Sequence, residues 1–312
     1  MSPAEDRVMK VLVVGSMAYD SVETWAGKVE HALGGSATFF SLSSSLFAST
    51  EVVAVIGDDF RATDLDRLQV KGVGLDGVQQ VAGKTFRWGG RYSRYFETRE
   101  TLFTELNVFS DFKPQIPEHL KNSEVVFLAN IHPALQLEVL NQVTAPKFVA
   151  LDTMNFWIEG ALDDLKAVLT KVDLLMVNDE EAFALSGVGN LVEAAEKIVQ
   201  MGPKAVVIKR GEHGAWLFAE GAPTVVPAVA LRRVVDPTGA GDTFAGGFIG
   251  YLARAGSFDQ TCLEQAMVSG TLAASYCVED FSVDRLEQVT LDDLRTRHAQ
   301  LAATVTDLVV DL

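Results

Sequence analysis

Short runs of aliphatic and β-branched residues recur along the chain, separated by longer segments in which apolar residues follow a helical period. The runs predict buried strands at residues 10–14, 51–56, 125–128, 148–151, 174–177 and 205–209. Segments 38–48 and 63–70, and an apolar stripe within 191–199, predict helices between them. Strands that alternate with helices indicate an α/β fold, with a mostly parallel central sheet covered on both faces. Runs 215–218 and 224–226 predict an antiparallel hairpin at the sheet edge.

One segment breaks this rhythm. Residues 85–108 are rich in threonine, arginine and aromatic residues, with rough alternation and a Gly-Gly turn, and they predict a β-hairpin or small sheet. Residues 21–32 supply a further strand beside it. We therefore predict a single domain over residues 1–312, with a β lid formed by about 20–33 and 84–108. The lid arginines Arg87, Arg91, Arg94 and Arg99 favour a functional surface.

Composition narrows the range of partners. A formal net charge of −16 excludes nucleic acid and anionic membranes as partners through bulk charge, although backbone amides can still hold phosphate locally. Two cysteines, Cys262 and Cys277, form no disulfide framework and predict reduced core thiols. No apolar run reaches about 18 residues, and residues 1–8 are polar and acidic, so we predict a cytoplasmic protein.

The most informative segment for chemistry is DPTGAGDTFAGG, which begins at Asp236 and follows a β-branched run. It predicts a strand, a glycine-rich turn and the N-terminus of a helix that ends before Gly256. Amides of small residues and the positive end of a helix dipole suit the charge that develops on a transferring phosphoryl group. Asp242, in the first helical turn, is placed to accept a proton from a substrate hydroxyl.

The string DPTGAGD closely resembles the signature of the ribokinase-like (PfkB) carbohydrate kinases. The resemblance implies a ribokinase-like three-layer sandwich with a mostly parallel central sheet and a small β lid. It implies ATP and Mg²⁺ as cofactors, and family members often hold K⁺ beside the anion hole. It also implies an anion hole at Gly239, Ala240 and Gly241, with Asp242 as the catalytic base.

Further segments extend the resemblance to the substrate site. GSMAYD resembles the family's opening strand, and implies that Asp20 binds substrate hydroxyls. Gly34 and Gly35 resemble the glycine pair that lets backbone approach the substrate. The family commonly carries asparagine after this pair, whereas this chain has Phe39, so a polar substrate contact is lost or supplied elsewhere. Segment DTMNFW resembles a strand-end motif in which Asn155 faces the reaction centre.

Other segments resemble the nucleotide site. NDEE resembles the family's Asn-x-x-Glu motif and implies that Asn178 binds cofactor while Glu181 orients Mg²⁺ through water. From the residues alone, Glu181 is better explained as a solvated acid that completes a helix cap. KRGEHG resembles the element that supports the nucleotide. The nucleotide-binding residues implied with it are Lys209, Gly211, Gly214 and Thr238.

We therefore predict an ATP-dependent kinase that phosphorylates a hydroxyl group, most readily a primary one. The acceptor is a sugar, a nucleoside or a polyol such as inositol, and we favour a sugar. Phe39, Phe40, Trp88, Tyr92 and Trp157 are candidates for an aromatic pocket wall, and the exposed lid edge favours a homodimer. Two other classes of protein compete with this prediction: a catalytically weak ligand sensor, and a dinucleotide-dependent oxidoreductase, which the segment VLVVGS suggests. The oxidoreductase is disfavoured because the chain has no G-x-G-x-x-G motif after Gly15.

Overall fold

The central sheet has nine strands, and the computed structural model describes residues 8–304. Residues 1–7, on which most of the targeting prediction rests, lie outside the described residues, as do residues 305–312. Within residues 8–304, no helix is long and apolar enough to cross a membrane. The strands are β1 Val11–Val14, β2 Ala18–Thr24, β3 Gly27–Gly34, β4 Thr50–Ile56, β5 Val73–Gln80, β6 Phe86–Tyr92, β7 Arg99–Glu105, β8 Val125–Leu128, β9 Phe148–Asp152, β10 Leu174–Asn178, β11 Ala205–Lys209, β12 Ala215–Phe218 and β13 Thr224–Val226.

Helices pack on both faces of this sheet, as the alternating pattern predicts. They are α1 Ser36–Ser44, α2 Ala62–Val70, α3 Pro133–Leu140, α4 Asn155–Gly160, α5 Leu162–Leu169, α6 Asp179–Ser186, α7 Leu191–Val199, α8 Ala240–Ala255, α9 Gln260–Cys277 and α10 Leu291–Thr304. Val11 and Val13 of β1 face the core formed with α1, α8 and α9, whereas Leu12 and Val14 face the core formed with α5, α6 and α7. Successive side chains of a strand point to opposite faces, so one short strand supplies both cores.

The strand order is β13-β12-β11-β10-β9-β8-β1-β4-β5. All neighbouring pairs from β11 to β5 are parallel. The β11–β12 and β12–β13 pairs are antiparallel, and β12 and β13 form the predicted edge hairpin. The predicted α/β class and mostly parallel sheet are therefore confirmed. The carboxyl ends of β9, β10 and β11 meet at one edge, where ligands of open α/β sheets collect.

A second sheet of four strands, here called the small sheet, has the order β3-β2-β6-β7. Its strands cover the segments predicted as the lid. Strand β6 contains the pair Gly89 and Gly90. The ring of Phe103, from β7, covers Gly89 on one face of the sheet, and the Trp88 ring covers Gly90 on the other, so a side chain at either glycine would overlap a ring. The face that carries Trp88, Gly90 and Tyr92 is called the inner face below.

Some boundaries differ from the predicted ones. Helix α1 begins at Ser36 rather than at residue 38, because Ser36 is buried and exchanges hydrogen bonds with Ser16 instead of facing water. It ends at Ser44, before the predicted residue 48. Both cysteines are free thiols; Cys277 is buried as predicted, but Cys262 is only half-buried. Phe40, a candidate for the pocket wall, instead stacks on Phe127 inside the core.

Candidate active site

The glycine-rich turn ends at the first residue of α8. Gly239 adopts φ 76°, a left-handed conformation, and packs so closely on the Phe39 ring that a Cβ at this position would overlap it. Ala240 already donates its N–H to the Pro237 carbonyl at 3.2 Å. The Gly241 N–H has no backbone partner within residues 8–304, and it lies in the helical turn whose amides are free by geometry. Gly241 therefore keeps an amide donor available to the predicted anion hole.

Asp242 lies beside a buried ion pair. Lys209, at the end of β11, binds Asp152, at the end of β9, with Nζ 2.8 Å from Oδ2. The same Nζ lies 3.1 Å from the place that a Cβ on Gly241 would occupy, so the lysine borders the turn. Burial, with the charge of Asp152, raises the pKa of Asp242 to about 7, while Lys209 lowers it. A carboxylate with this pKa is suited to general-base work near neutral pH.

Asn178 and Glu181 form a capping box at the start of α6. The Asn178 side chain accepts from the Glu181 N–H at 2.8 Å, and the Glu181 carboxylate accepts from the Asn178 N–H at 2.8 Å. Burial, with the charge of Asp152, raises the pKa of Glu181 to about 7. The Asn178 amide oxygen is thus committed to the cap, and one Glu181 oxygen is engaged there as well.

Asp20 lies on the small sheet, in strand β2. Its carboxylate covers Gly34 so closely that a side chain at Gly34 would overlap it. Gly35 has φ 96°, and a Cβ there would meet the backbone of residues 16–18. The glycine pair is therefore required by the packing of Asp20 and of the chain behind it. Burial, with the charge of Asp236, raises the pKa of Asp20 to about 7.

The inner face of the small sheet meets the glycine turn. Trp88 is the parallel-register partner of Asp20, so the indole and the carboxylate share that face. Tyr92 is four residues after Trp88 in β6 and therefore lies on the same face. Its hydroxyl oxygen is 3.1 Å from the Thr238 hydroxyl oxygen. Thr238 also donates its N–H to Asp236 Oδ1 at 2.8 Å. The acceptor and nucleotide parts of the predicted site therefore adjoin at the turn.

Asp236, just before the turn, is almost fully buried, and its Oδ2 has no hydrogen-bond partner within residues 8–304. Burial raises the pKa of this carboxyl group. A buried acceptor without a donor is unfavourable unless a cation or donor fills the place. In the part of the chain that the structure describes, no group of at least three His, Cys, Asp or Glu side chains is arranged to hold a metal ion.

Residues 8–287 match the pfkB family of carbohydrate kinases. The chain belongs to that family. A pfkB kinase is an ATP-dependent phosphotransferase, and this chain phosphorylates a hydroxyl group of a sugar or sugar-like small molecule.

Relatives of this pfkB kinase include the cytidine kinase of Thermococcus kodakarensis, which is 29% identical over 254 residues, or 79% of this chain and 90% of the relative. The solved nucleoside kinase of Methanocaldococcus jannaschii superimposes with a TM-score of 0.75 at 18% identity, covering 94% of this chain and 98% of that one. An E. coli protein assigned as ribokinase II, solved with ATP and Mg²⁺, gives a TM-score of 0.77 at 20% identity, covering 94% and 99%. The two structures establish the ribokinase-like fold.

Other predicted site residues have distinct surroundings. Asn155 begins α4, and its side-chain Oδ1 is buried without a hydrogen-bond partner in the described residues, which leaves it available to a ligand. Gly211 has φ 53° and open space where a side chain would project, so packing does not explain that glycine. At Gly214, with φ 83°, a Cβ would meet the backbone of residues 226–228, so packing alone accounts for that glycine.

Several polar contacts near the site escaped the sequence analysis. Asn130, two residues after β8, accepts from the Trp157 indole N–H at 2.8 Å and donates to Met154 Sδ at 3.1 Å. Asp152 was seen as part of a motif, but its pairing with Lys209 was not. The signal available in the sequence was position: Asp152 is the last residue of one buried parallel strand and Asn130 follows another, and both strands end at the same edge of the sheet.

Proposed function

We propose that the protein transfers the γ-phosphoryl group of ATP to a primary hydroxyl group, with Asp242 as the general base. The observation that supports this most is the position of Asp242. Its carboxylate lies in the first turn of α8, beside the free Gly241 amide, with a pKa raised to about 7 by burial and by Asp152. A base and an oxyanion donor on adjacent residues are what attack by a hydroxyl on a phosphoryl group requires.

The acceptor site proposed here lies between Asp20 and the start of α8. The Asp20 carboxylate accepts hydrogen bonds from two hydroxyl groups of one ring, and the neighbouring Trp88 indole packs against the ring's apolar face. Asp242 then takes the proton of the attacking hydroxyl. The Gly241 amide and the N-terminal end of the α8 dipole stabilise the charge on the transferring group.

Metal ions complete this proposal. Mg²⁺ would be held mainly by nucleotide phosphates and water, with Glu181 orienting that water, because Mg²⁺ retains several waters. A monovalent cation such as K⁺ would take the unpartnered Asp236 Oδ2 as one ligand and add positive charge behind the turn. K⁺ should therefore stimulate turnover relative to Na⁺, and Asp236→Asn should remove most of that stimulation. Equal rates in both salts would refute a K⁺ site.

A nucleoside is the second candidate acceptor, beside a sugar. It is favoured by the similarity to a cytidine kinase over 79% of this chain. The exposed Phe156 and the adjacent Trp157, whose indole is fixed by Asn130, offer a planar base an aromatic surface near the site. A ribose ring satisfies Asp20 in both cases, so the two candidates differ only in the group attached to the ring.

The test is an ADP-release assay with MgATP across sugars, nucleosides and polyols. One strong acceptor is expected, and its activity should fall by roughly 10²–10⁴ in Asp242→Asn, the range of general-base catalysis. Full activity in that variant would refute Asp242 as the base. ATP binding without turnover on any acceptor would instead favour a ligand sensor.

We also propose that the protein acts in the cytoplasm, where ATP is abundant. A further proposal is that two copies form a homodimer through the small sheet. All residues of the edge strand β7 are exposed, including Leu102 and Phe103. An exposed edge strand with apolar side chains is a template for pairing with a second copy. Sedimentation should give a dimer that Leu102→Lys weakens, whereas a monomer at all concentrations would contradict the pairing.

A further inference from the structure

A cavity of about 440 Å³ lies at one end of the small sheet, where the parallel strands β2 and β6 both end. It is lined by Glu23, Thr24, Trp25, Arg91, Tyr92 and Arg94. Asp20 and Thr24 are four residues apart in β2, so they lie about 13 Å apart along the strand at about 3.3 Å per residue. The cavity is therefore separate from the proposed acceptor site, and the reaction described above leaves it without a role.

The cavity adjoins the segment that leads into the glycine turn. Thr24 and Trp25 donate side-chain hydrogen bonds of 2.8 and 3.2 Å to the two backbone carbonyls of segment 234–235. Tyr92 lines the cavity as well, and its hydroxyl oxygen lies 3.1 Å from that of Thr238. Three residues of the cavity wall thus hold the small sheet against the chain that carries the anion hole.

The wall of the cavity carries one unpaired cation, in a chain whose formal net charge is −16. Arg91 is neutralised, because it pairs with Glu23 at 3.2 Å and with Glu100 at 3.6 Å. Arg94 is exposed and forms no ion pair in the part of the chain that the structure describes. An unpaired guanidinium beside a cavity attracts an anion, and its planar fork suits a phosphate or a carboxylate.

Trp25 adds a flat apolar surface to the same cavity. The residue is 51% exposed, and its indole nitrogen is fixed by the hydrogen bond to the carbonyl of residue 234. The guanidinium of Arg233 lies 5.2 Å from the centre of the indole ring and covers one face of it. A fixed indole with one face covered offers its other face to a planar group. Together with Arg94, this surface selects a ligand that has both a flat ring and an anionic group.

We propose that this cavity binds a nucleoside monophosphate, with the base stacked on Trp25 and the phosphate held by Arg94. A single unpaired arginine in the wall matches a single phosphate group, and the volume of about 440 Å³ is in the range of small-molecule sites. The bound nucleotide fastens the small sheet to segment 234–238 and so slows the opening that product release requires. The site is therefore inhibitory, a consequence that rests on the proposed function, whereas the binding itself does not.

Calorimetric titration with AMP measures this binding without turnover. Arg94→Ala and Trp25→Ala should each weaken AMP binding by about 10-fold or more, the scale of one charge-assisted hydrogen bond. Trp25→Phe should retain part of the affinity, because it keeps a ring without the hydrogen bond to the backbone, and this separates stacking from a folding defect. Arg254→Ala, at an exposed arginine in the last turn of α8, is the matched control and should bind AMP like the wild type.

Two further comparisons locate the ligand. Ribose 5-phosphate, which has the phosphate but no base, should bind much more weakly than AMP. Asp20→Asn should bind AMP like the wild type, because Asp20 belongs to the acceptor site. In steady-state assays, AMP should inhibit without competing with the acceptor or with ATP, and Arg94→Ala should relieve that inhibition.

Four results would overturn the site: no AMP binding to the wild type, wild-type affinity in both Arg94→Ala and Trp25→Ala, loss of binding in Asp20→Asn, or inhibition that is competitive with acceptor or ATP. The third and fourth would place AMP in the acceptor or ATP site instead. A wild type that binds AMP in a way that needs Arg94 and Trp25, but turns over no acceptor, would support the site and count against the proposed function only.

Discussion

Replacing Asp242 by asparagine should make the ligand-free protein more stable while nearly abolishing its activity. The unfolded aspartate loses its proton near its ordinary pKa of 3.8, whereas in the folded protein burial and Asp152 keep it protonated up to about 7. The folded state therefore binds more protons in that interval. The free energy of unfolding therefore falls as the pH rises through this interval, and the full loss of stability is reached above it.

The size of the effect can be bounded. Each pKa unit corresponds to about 1.4 kcal/mol, so a rise from 3.8 to about 7 sets an upper limit of about 4 kcal/mol. Asparagine also loses the attraction between Asp242 and Lys209, and the residue as a whole keeps some exposure to solvent, which reduces the electrostatic cost. We therefore expect a gain of about 1–3 kcal/mol, or an increase of about 2–6 °C in unfolding temperature.

Thermal unfolding of the ligand-free protein at about pH 5 and about pH 9 would measure this. The gain of Asp242→Asn should appear at the higher pH and largely vanish at the lower one. Asp66→Asn, at an exposed position of α2, should shift the unfolding temperature little at either pH. An Asp242→Asn variant that is no more stable than wild type at the higher pH would refute the reasoning that this buried charge is costly.

The remaining predictions concern the ion pair and the turn. Lys209→Met should raise the pKa of Asp242, because the lysine lowers that pKa, whereas Asp152→Asn should lower it, because the aspartate raises it. The midpoint of the pH–rate profile should move in opposite directions in the two variants, and midpoints that move in the same direction would contradict this. Gly239→Ala should lower the free energy of unfolding by about 1–3 kcal/mol, since alanine is strained at φ 76° and its Cβ overlaps a packed ring. Gly189→Ala, where no atom lies within 4 Å of the added Cβ, is the control in denaturant unfolding.

Much of the fold could be predicted because its signals are local. A buried parallel strand is a short run of β-branched residues, and the runs at 125–128 and 205–209 coincide with β8 and β11. The glycine turn and helix at 236–256 also have local signals: Gly239 and Gly256 both adopt left-handed conformations that bound α8. The capping box at Asn178 and Glu181 is four residues long, so its pattern was visible as well.

Contacts between distant segments could not be predicted in this way. The Lys209–Asp152 pair depends on which strands neighbour β10, and strand order is not encoded in any one segment. The pairing of Asp20 with Trp88 likewise depends on the register between β2 and β6. Phe40 was mistaken for a pocket residue because a buried aromatic and a ligand-facing one look alike in sequence. The roles assigned by resemblance at Gly211, Gly214 and Asn155 stay predictions.

The pH dependence of kcat/KM for the best acceptor tests the central claim most directly, because it reports the free enzyme's essential base. If Asp242 is that base, the wild-type value should rise as the pH passes about 7 and level off above it. The Asp242→Asn variant should be far slower at every pH and should lack that rise. The same rise in Asp242→Asn, or a wild-type rate that falls as the pH increases through this range, would contradict the assignment of Asp242.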